Sequence, residues 1–350
     1  MLRTADFLRL TMSIRPVLAL ALLGAFCGFV ADSRAQGSTS EPSVDARDVR
    51  AWLLRIHEAA GKRNFQGTFI VSGGGSVSSA RIAHYCEGPN QYERIESLDG
   101  QQRHVFRHND LVHTAWPSSR VVLVEQSQLM MSFPGLLQAG DDRIVDFYDV
   151  KQQGVDRVAG HEASVLIVQP RDAYRYGYRL WSEKSSGLLL RADVLGERGE
   201  VLETSAFSDV QIGVKPQPDS VLQPMKRLDG YRVIRPALAA TRLEAEGWSL
   251  KEPAPGFRQV SCVKRSMQGK EAAQEADNAP VLQAIYSDGL THVSLFIEPF
   301  NAQRHTRPMM TSLGATQTLM KRHGDFWVTV VGDVPAATLK AFAKGLERSR

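Results

Sequence analysis

The feature that most constrains this chain is a change of hydrophobic period. From Asn64 onward apolar and polar residues alternate, and a period near two persists for about 150 residues. In the stretch NFQGTFIVS, the residues Phe65, Gly67, Phe69 and Val71 share one face. Turn signals cut the pattern into strands. Asp99-Gly100 is a strong hairpin dipeptide. Pro117 separates two apolar runs. Ser185-Ser186-Gly187 and Glu197-Arg198-Gly199 join three consecutive strands. Between Asp142 and Pro170 the pattern predicts three strands, with Gly154 and Gly160 at turns. Ahead of the strands, Val49, Trp52, Leu53, Ile56 and Ala60 follow helical spacing, with Ser43 or Asp45 to cap the start and Gly61 to stop it. One helix followed by about ten strands predicts an α+β domain over 44–214. Its large antiparallel sheet is expected to be strongly curved or partly closed into a barrel.

The pattern then lapses. Pro216, Pro218 and Pro224 punctuate 215–235, which reads as an interdomain linker. A smaller α+β domain is predicted over 236–347. Residues 253–257 (PAPGF) make a turn before a strand, and 268–279 is a polar loop. Hairpins turn at Asp288-Gly289 and at His323-Gly324. Pro335 opens a final helix whose buried stripe is Leu339, Phe342, Ala343 and Leu346.

A chain of 350 residues, 43% hydrophobic and 23% charged, can bury a core without metal or disulfide and is not a disordered composition. Val17 to Ala31 carries no charge. It follows Arg3, Arg9 and Arg15 and precedes Ser33-Arg34-Ala35. The run is shorter than the ~20 residues that span a bilayer. Residues 1–35 are predicted to be a secretory signal peptide cut before Gln36, which exports the chain. Met12 begins a stretch that is complete as a signal by itself, and a short membrane anchor is the competing reading. Phe26, beside Cys27, is too bulky for a lipoprotein signal. Removal of 1–35 takes away four arginines and two aspartates, so the formal charge falls from +4 to +2. No Lys/Arg-rich block remains, which argues against nucleic acid as a partner. Cys86 and Cys262 are left, in different predicted domains. Two separate thiols are favoured over a bridge.

The search for catalytic patterns finds no nucleophile elbow, zinc-protease helix, phosphate loop or dinucleotide fingerprint. His104 and His108, four apart on one strand, lie ~13 Å from each other, too far to share a metal. His113 on the next strand leaves a site across the hairpin open. Gly160-His161-Glu162 reads as a solvated turn, and Asp141-Asp142 as a loop. The aromatic content of the sheet is more informative. Tyr174, Tyr176, Tyr178 and Leu180 share a face, as do Leu188, Leu190 and Val194. Such a face encloses an acyl chain or forms the core under the helix, and alternation does not separate the two. The cavity candidates are Phe69, Tyr85, Phe106, Phe147, Tyr178, Leu180 and Leu190. Their facing comes from alternation, which a slip of one residue inverts.

Taken in order, NFQGTF at 64–69, ERIESLDG at 93–100, GYRLW at 177–181, GLLLR at 187–191, SDGLTHVSLFIEP at 287–299 and VGDVP at 331–335 resemble the RseB/MucB family, the periplasmic regulators of an envelope-stress sigma factor. Each motif is weak alone, but the colinear set spans nearly the whole mature chain. One departure is Pro253-Ala254-Pro255-Gly256-Phe257, where the family usually has LPPGF. The resemblance implies an unclosed, lipoprotein-carrier-like β-barrel and a small second domain. It implies no enzymatic activity and no cofactor. It implies binding to the periplasmic part of a membrane-spanning anti-sigma factor, shielding of that partner from site-1 proteolysis, and release by mislocalised lipid or lipopolysaccharide. Partner contact is expected through the second domain and linker, at exposed Arg232, Arg235, Phe300 and Arg304. A lipid or lipoprotein carrier without a signalling role and a secreted hydrolase are the alternatives, and self-association into a homo-oligomer stays open.

Overall fold

The computed structural model describes residues 46–126, 133, 143–251, 253–267 and 280–349. The signal segment 1–35, the caps Ser43 and Asp45, Asp141-Asp142 and the 268–279 loop lie outside the described residues.

Helix α1 (Ala46–Lys62) buries Val49, Leu53, Ile56 and Ala60, the face that its spacing predicts. The first sheet begins with β1 (Phe65–Gly73), β2 (Ser76–Glu87), β3 (Asn90–Ser97), β4 (His104–His108), β5 (Leu111–Trp116) and β6 (Val121–Gln126). After the short helix α2 (Ile144–Phe147) come β7 (Tyr148–Val158), β8 (His161–Pro170), β9 (Gly177–Glu183), β10 (Leu189–Leu195) and β11 (Val201–Ile212). Helix α3 (Asp219–Lys226) and β12 (Arg232–Ile234) follow. The twelve strands run β12-β6-β5-β4-β3-β2-β1-β11-β10-β9-β8-β7. All neighbours are antiparallel except β12 and β6. The end strands do not pair with each other, so the barrel is unclosed. It still curls strongly: His161 Nε2 of β8 lies 3.1 Å from the Val210 carbonyl of β11, three strands away. On the inner face Phe65, Ile82, Leu180, Leu190 and Val210 form one core with Leu53 and Ile56 of α1.

One expected turn is corrected in the first sheet. Residues 148–170 form two long strands, not three. Gly154 does not turn the chain; it sits at a register shift within β7, with φ +110°. Only glycine adopts that conformation readily, so the extra residue is absorbed as a bulge. The stretch 215–235 holds a helix and a strand. Val221 and Met225 of α3 pack on Tyr85, Tyr92 and Phe106, covering the outer face of the first sheet.

The second sheet contains β13 (Pro236–Ala240), β15 (Arg258–Met267), β16 (Val281–Ser287), β17 (His292–Pro299), β18 (Met309–Leu313), β19 (Thr316–His323) and β20 (Phe326–Gly332), while β14 (Trp248–Leu250) pairs with β21 (Leu346–Arg348) after helix α4 (Ala336–Gly345). Residues 309–332 make three strands rather than one hairpin. Gly314, at φ +57°, supplies an additional tight turn. Leu339, Phe342 and Ala343 of α4 and Leu346 beyond it close the core over Phe257, Tyr286 and Leu295.

Candidate functional site

The most developed polar arrangement lies where the second sheet meets the first domain. Asp288 begins the β16–β17 turn. Its Oδ1 accepts the backbone N–H groups of Leu290 (3.0 Å) and Thr291 (2.9 Å), which fixes the carboxylate. Oδ2 accepts Arg175 Nε at 2.7 Å and the Tyr148 hydroxyl at 2.8 Å. Both charged side chains are fully buried. Arg175 also donates to Asp172 and to the Pro255 carbonyl, and its guanidinium lies 4.3 Å from the Phe147 ring centre. Gly256 is required beside it. A Cβ there would stand 2.5 Å from the guanidinium and 2.6 Å from Phe147, and φ is +83°. This explains the glycine of PAPGF as a close approach between domains. Burial and then the Asp288 charge hold the Tyr148 hydroxyl well above its usual range, so it stays a proton donor.

Further contacts widen the junction. Thr338 Oγ1 donates to the Tyr174 carbonyl (2.7 Å), and Gln317 Nε2 to the Tyr176 hydroxyl (3.3 Å). Tyr178 hydrogen-bonds Thr291, while burial raises its hydroxyl pKa. Arg265 pairs with Glu125. The tyrosines of 174–178 therefore tie the first domain to the second.

The predicted lipid contacts divide among three places. Leu180 and Leu190 lie in the closed core beneath α1. Phe69 is half-buried at the edge of that core, with Phe133 at 5.7 Å and Phe207 at 6.3 Å between ring centres. Tyr178 and Phe147 belong to the junction. Tyr85 and Phe106 point to the opposite face, under α3. The seven do not line one cavity, because side chains alternate along each strand: Ile82 of β2 enters the core beneath α1, while Tyr85 of the same strand faces α3.

The predicted partner contacts also separate. Arg232 and Arg235 are exposed, at and just after edge strand β12. Phe300 and Arg304 are half-buried instead of exposed. Arg322 covers the Phe300 ring at 4.1 Å, and Arg304 lies 3.6 Å from Glu298. Among the described residues no three His, Cys, Asp or Glu side chains are grouped to hold a metal. Cys86 and Cys262 are both free thiols. Sequence reasoning missed Arg175 and Asp288. The available signals were an arginine within a tyrosine run and the aspartate of SDGL.

Residues 48–225 match the MucB/RseB N-terminal domain and residues 242–347 the MucB/RseB C-terminal domain. The chain belongs to the MucB/RseB family. It is 31% identical over 308 residues to the sigma factor AlgU regulatory protein MucB of Pseudomonas aeruginosa, covering 86% of this chain and 92% of that protein. It is 24% identical over 299 residues to the sigma-E factor regulatory protein RseB of Escherichia coli K12, covering 85% and 90%. Among solved structures, the Pseudomonas aeruginosa MucA/MucB complex aligns at 28% identity and a TM-score of 0.64, over 88% of this chain and all of that one. MucB in complex with MucA(peri) aligns at 28% identity and a TM-score of 0.62, over 87% of this chain and 100% of that one.

Proposed function

We propose that this protein is a periplasmic negative regulator of an envelope-stress sigma factor. It is exported by the signal peptide 1–35 and acts by binding the periplasmic part of a membrane-spanning anti-sigma factor, without catalysing a reaction. The observation that carries the reading is the end-to-end similarity, through both domains, to a MucB whose solved structure includes MucA(peri). While bound, the protein shields its partner from site-1 proteolysis. Mislocalised lipid or lipopolysaccharide releases it.

Release requires lipid to bind the partner-free form more tightly, and linkage then makes the partner weaken lipid binding by the same factor. Half-buried Phe69, packed on the buried rings of Phe133 and Phe207, is the proposed entry for an acyl chain, with Leu180 and Leu190 behind it. Arg232, Arg235, Phe300 and Arg304 remain the proposed partner contacts.

Calorimetric titration of residues 36–350 with the periplasmic segment of the anti-sigma factor from the same genome, with and without an acylated lipid, tests this. Tight binding that lipid weakens is the expected result. Lipid binding with no partner binding overturns the regulatory reading in favour of a carrier. Charge reversal at Arg232, Arg235 and Arg304 is expected to weaken the partner, and unchanged affinity rules out those contacts.

A further inference from the structure

Helix α3 covers Tyr85, Tyr92 and Phe106 on the outer face of the first sheet but leaves a gap beside them. This cavity, of about 120 Å³, has a floor of Phe106, His113, Ala115 and Val122 from β4, β5 and β6. Its lid is the end of α3 and the segment after it, with Arg227 and Leu228 facing in. A dry cavity of about 150 Å³ takes a benzene ring, so the space suits one side chain and is too small for an acyl chain.

Two observations mark it as a binding site. The first is an unmet polar atom. His113 is 7% exposed, and its Nδ1 has no hydrogen-bond partner. Burial, then the Arg235 charge, lowers its pKa, so the empty cavity holds a neutral imidazole. A buried nitrogen without a partner carries a standing desolvation cost that a ligand atom can remove. The second is the sign of the rim. Over 224–235 the chain carries Lys226, Arg227, Arg232 and Arg235 against Asp229 alone. Arg120 adds to them from the β5–β6 turn; its guanidinium lies 3.9 Å from where a Gly230 Cβ would stand.

We propose that this cavity receives one apolar side chain from an acidic segment of a protein partner. The segment's carboxylates meet the Arg227, Arg235 and Arg120 rim, and a polar atom next to the apolar side chain meets His113 Nδ1. The inference rests on the partner-binding reading for its occupant and gives that reading a seat on the first domain, beneath the strand that leads into the second.

The test uses residues 36–350, the anti-sigma periplasmic segment, and a synthetic acidic peptide with a central leucine. Ala115→Phe fills the cavity from its floor. Leu228→Trp fills it from the lid and serves if the first variant lowers the melting temperature. Affinity is expected to fall at least tenfold in the filled variant while the melting temperature is kept. Arg227→Glu with Arg235→Glu is expected to weaken binding similarly and flatten its salt dependence. In ¹⁵N-histidine spectra the His113 Nδ1 resonance should move on adding the segment. Full affinity in a folded, filled variant overturns the cavity while leaving the regulatory reading intact. If the anti-sigma segment does not bind the wild-type chain, the regulatory reading falls and the peptide decides the cavity: a His113 shift abolished by filling supports it, and no shift overturns it. A His113 shift that grows with the protein's own concentration assigns the cavity to a second copy and overturns the proposal.

Discussion

Arg175 and Asp288 stand 113 residues apart in sequence and meet as a fully buried ion pair that joins the two domains. Neither charge faces water, and each has further partners: Tyr148 on the carboxylate, Asp172 and the Pro255 carbonyl on the guanidinium. A buried pair is worth little against an apolar replacement of both members, but removing one leaves an uncompensated charge. Arg175→Met is therefore expected to destabilise the chain by about 3–5 kcal/mol. Arg175→Lys should fail to rescue it, because an ammonium cannot reproduce the fork that reaches three partners. Arg175→Met with Asp288→Asn should recover part of the loss. Urea unfolding followed by tryptophan fluorescence checks all three, and equal stability of wild type and Arg175→Met would refute the assignment.

His84 predicts a pH dependence. It is buried against the Phe65 ring at 5.3 Å, with Cys86 Sγ and Glu93 each at 3.5 Å. Burial works against its charge, but the hydrogen bond with Cys86 and the neighbouring Glu93 carboxylate outweigh it and raise the pKa to about 9. The folded chain then holds a proton that the unfolded chain, with a histidine near 6.5, releases. Stability from this group is complete below about pH 6.5 and disappears as pH rises through about 9, a loss on the order of 3 kcal/mol. Unfolding free energies at pH 6, 7.5 and 9.5 should show this decline in wild type and a flatter profile in His84→Gln. Parallel profiles would exclude His84 as the source.

The two thiols should differ in reactivity. Cys262 is 7% exposed, and burial, with Glu244 and Glu246 nearby, pushes its thiol up to about 11. Cys86 is half-buried and donates to the Gly61 carbonyl at 3.0 Å, at the end of α1. A disulfide reagent at pH 8 is expected to modify one thiol per chain quickly and the second only on unfolding. Cys86→Ser should remove the fast phase and Cys262→Ser should leave it. Two equal phases, or no free thiol before reduction, would contradict the structure.

Local chemistry explains which parts of the fold were readable. The hairpins at 185–187, 197–199, 288–289 and 323–324 were legible because a glycine at positive φ marks each. The same logic failed at Gly154, whose positive φ makes a bulge, and at Gly314, which sits inside what reads as one apolar run. Helix α3 was hidden by Pro218 and Pro224, although Pro218 stands at its N-terminal boundary, where a missing N–H is harmless. The site was less legible than the fold. Alternation finds two faces but does not say which one a helix covers, so it does not separate Tyr85 and Phe106 from residues of the opposite face. No local pattern announces Arg175 and Asp288, since their meaning is a contact between domains.

Gly67, in the NFQGTF motif, sits tight against β11. A Cβ at this position would stand 2.2 Å from the Asp209 carbonyl oxygen and 2.9 Å from the Val210 Cα. Both obstacles are backbone atoms, so no side chain can swing aside. The register between the strands shifts one residue later, between Thr68 and Phe69, and Phe69 faces Phe207. Opening the pair at Gly67 would thus disturb the Phe69–Phe133–Phe207 cluster as well. Gly67→Ala is expected to cost about 3 kcal/mol, the upper end of ordinary overpacking. Gly160→Ala is the matched control. Nothing lies within 4 Å of its Cβ position, and only the strain of φ +84° remains, about 1 kcal/mol. Thermal unfolding of the two variants side by side should therefore show a much larger drop for Gly67→Ala, with altered quenching of bound apolar dye if the aromatic cluster opens. Equal drops would mean that β1 and β11 are not pressed together here.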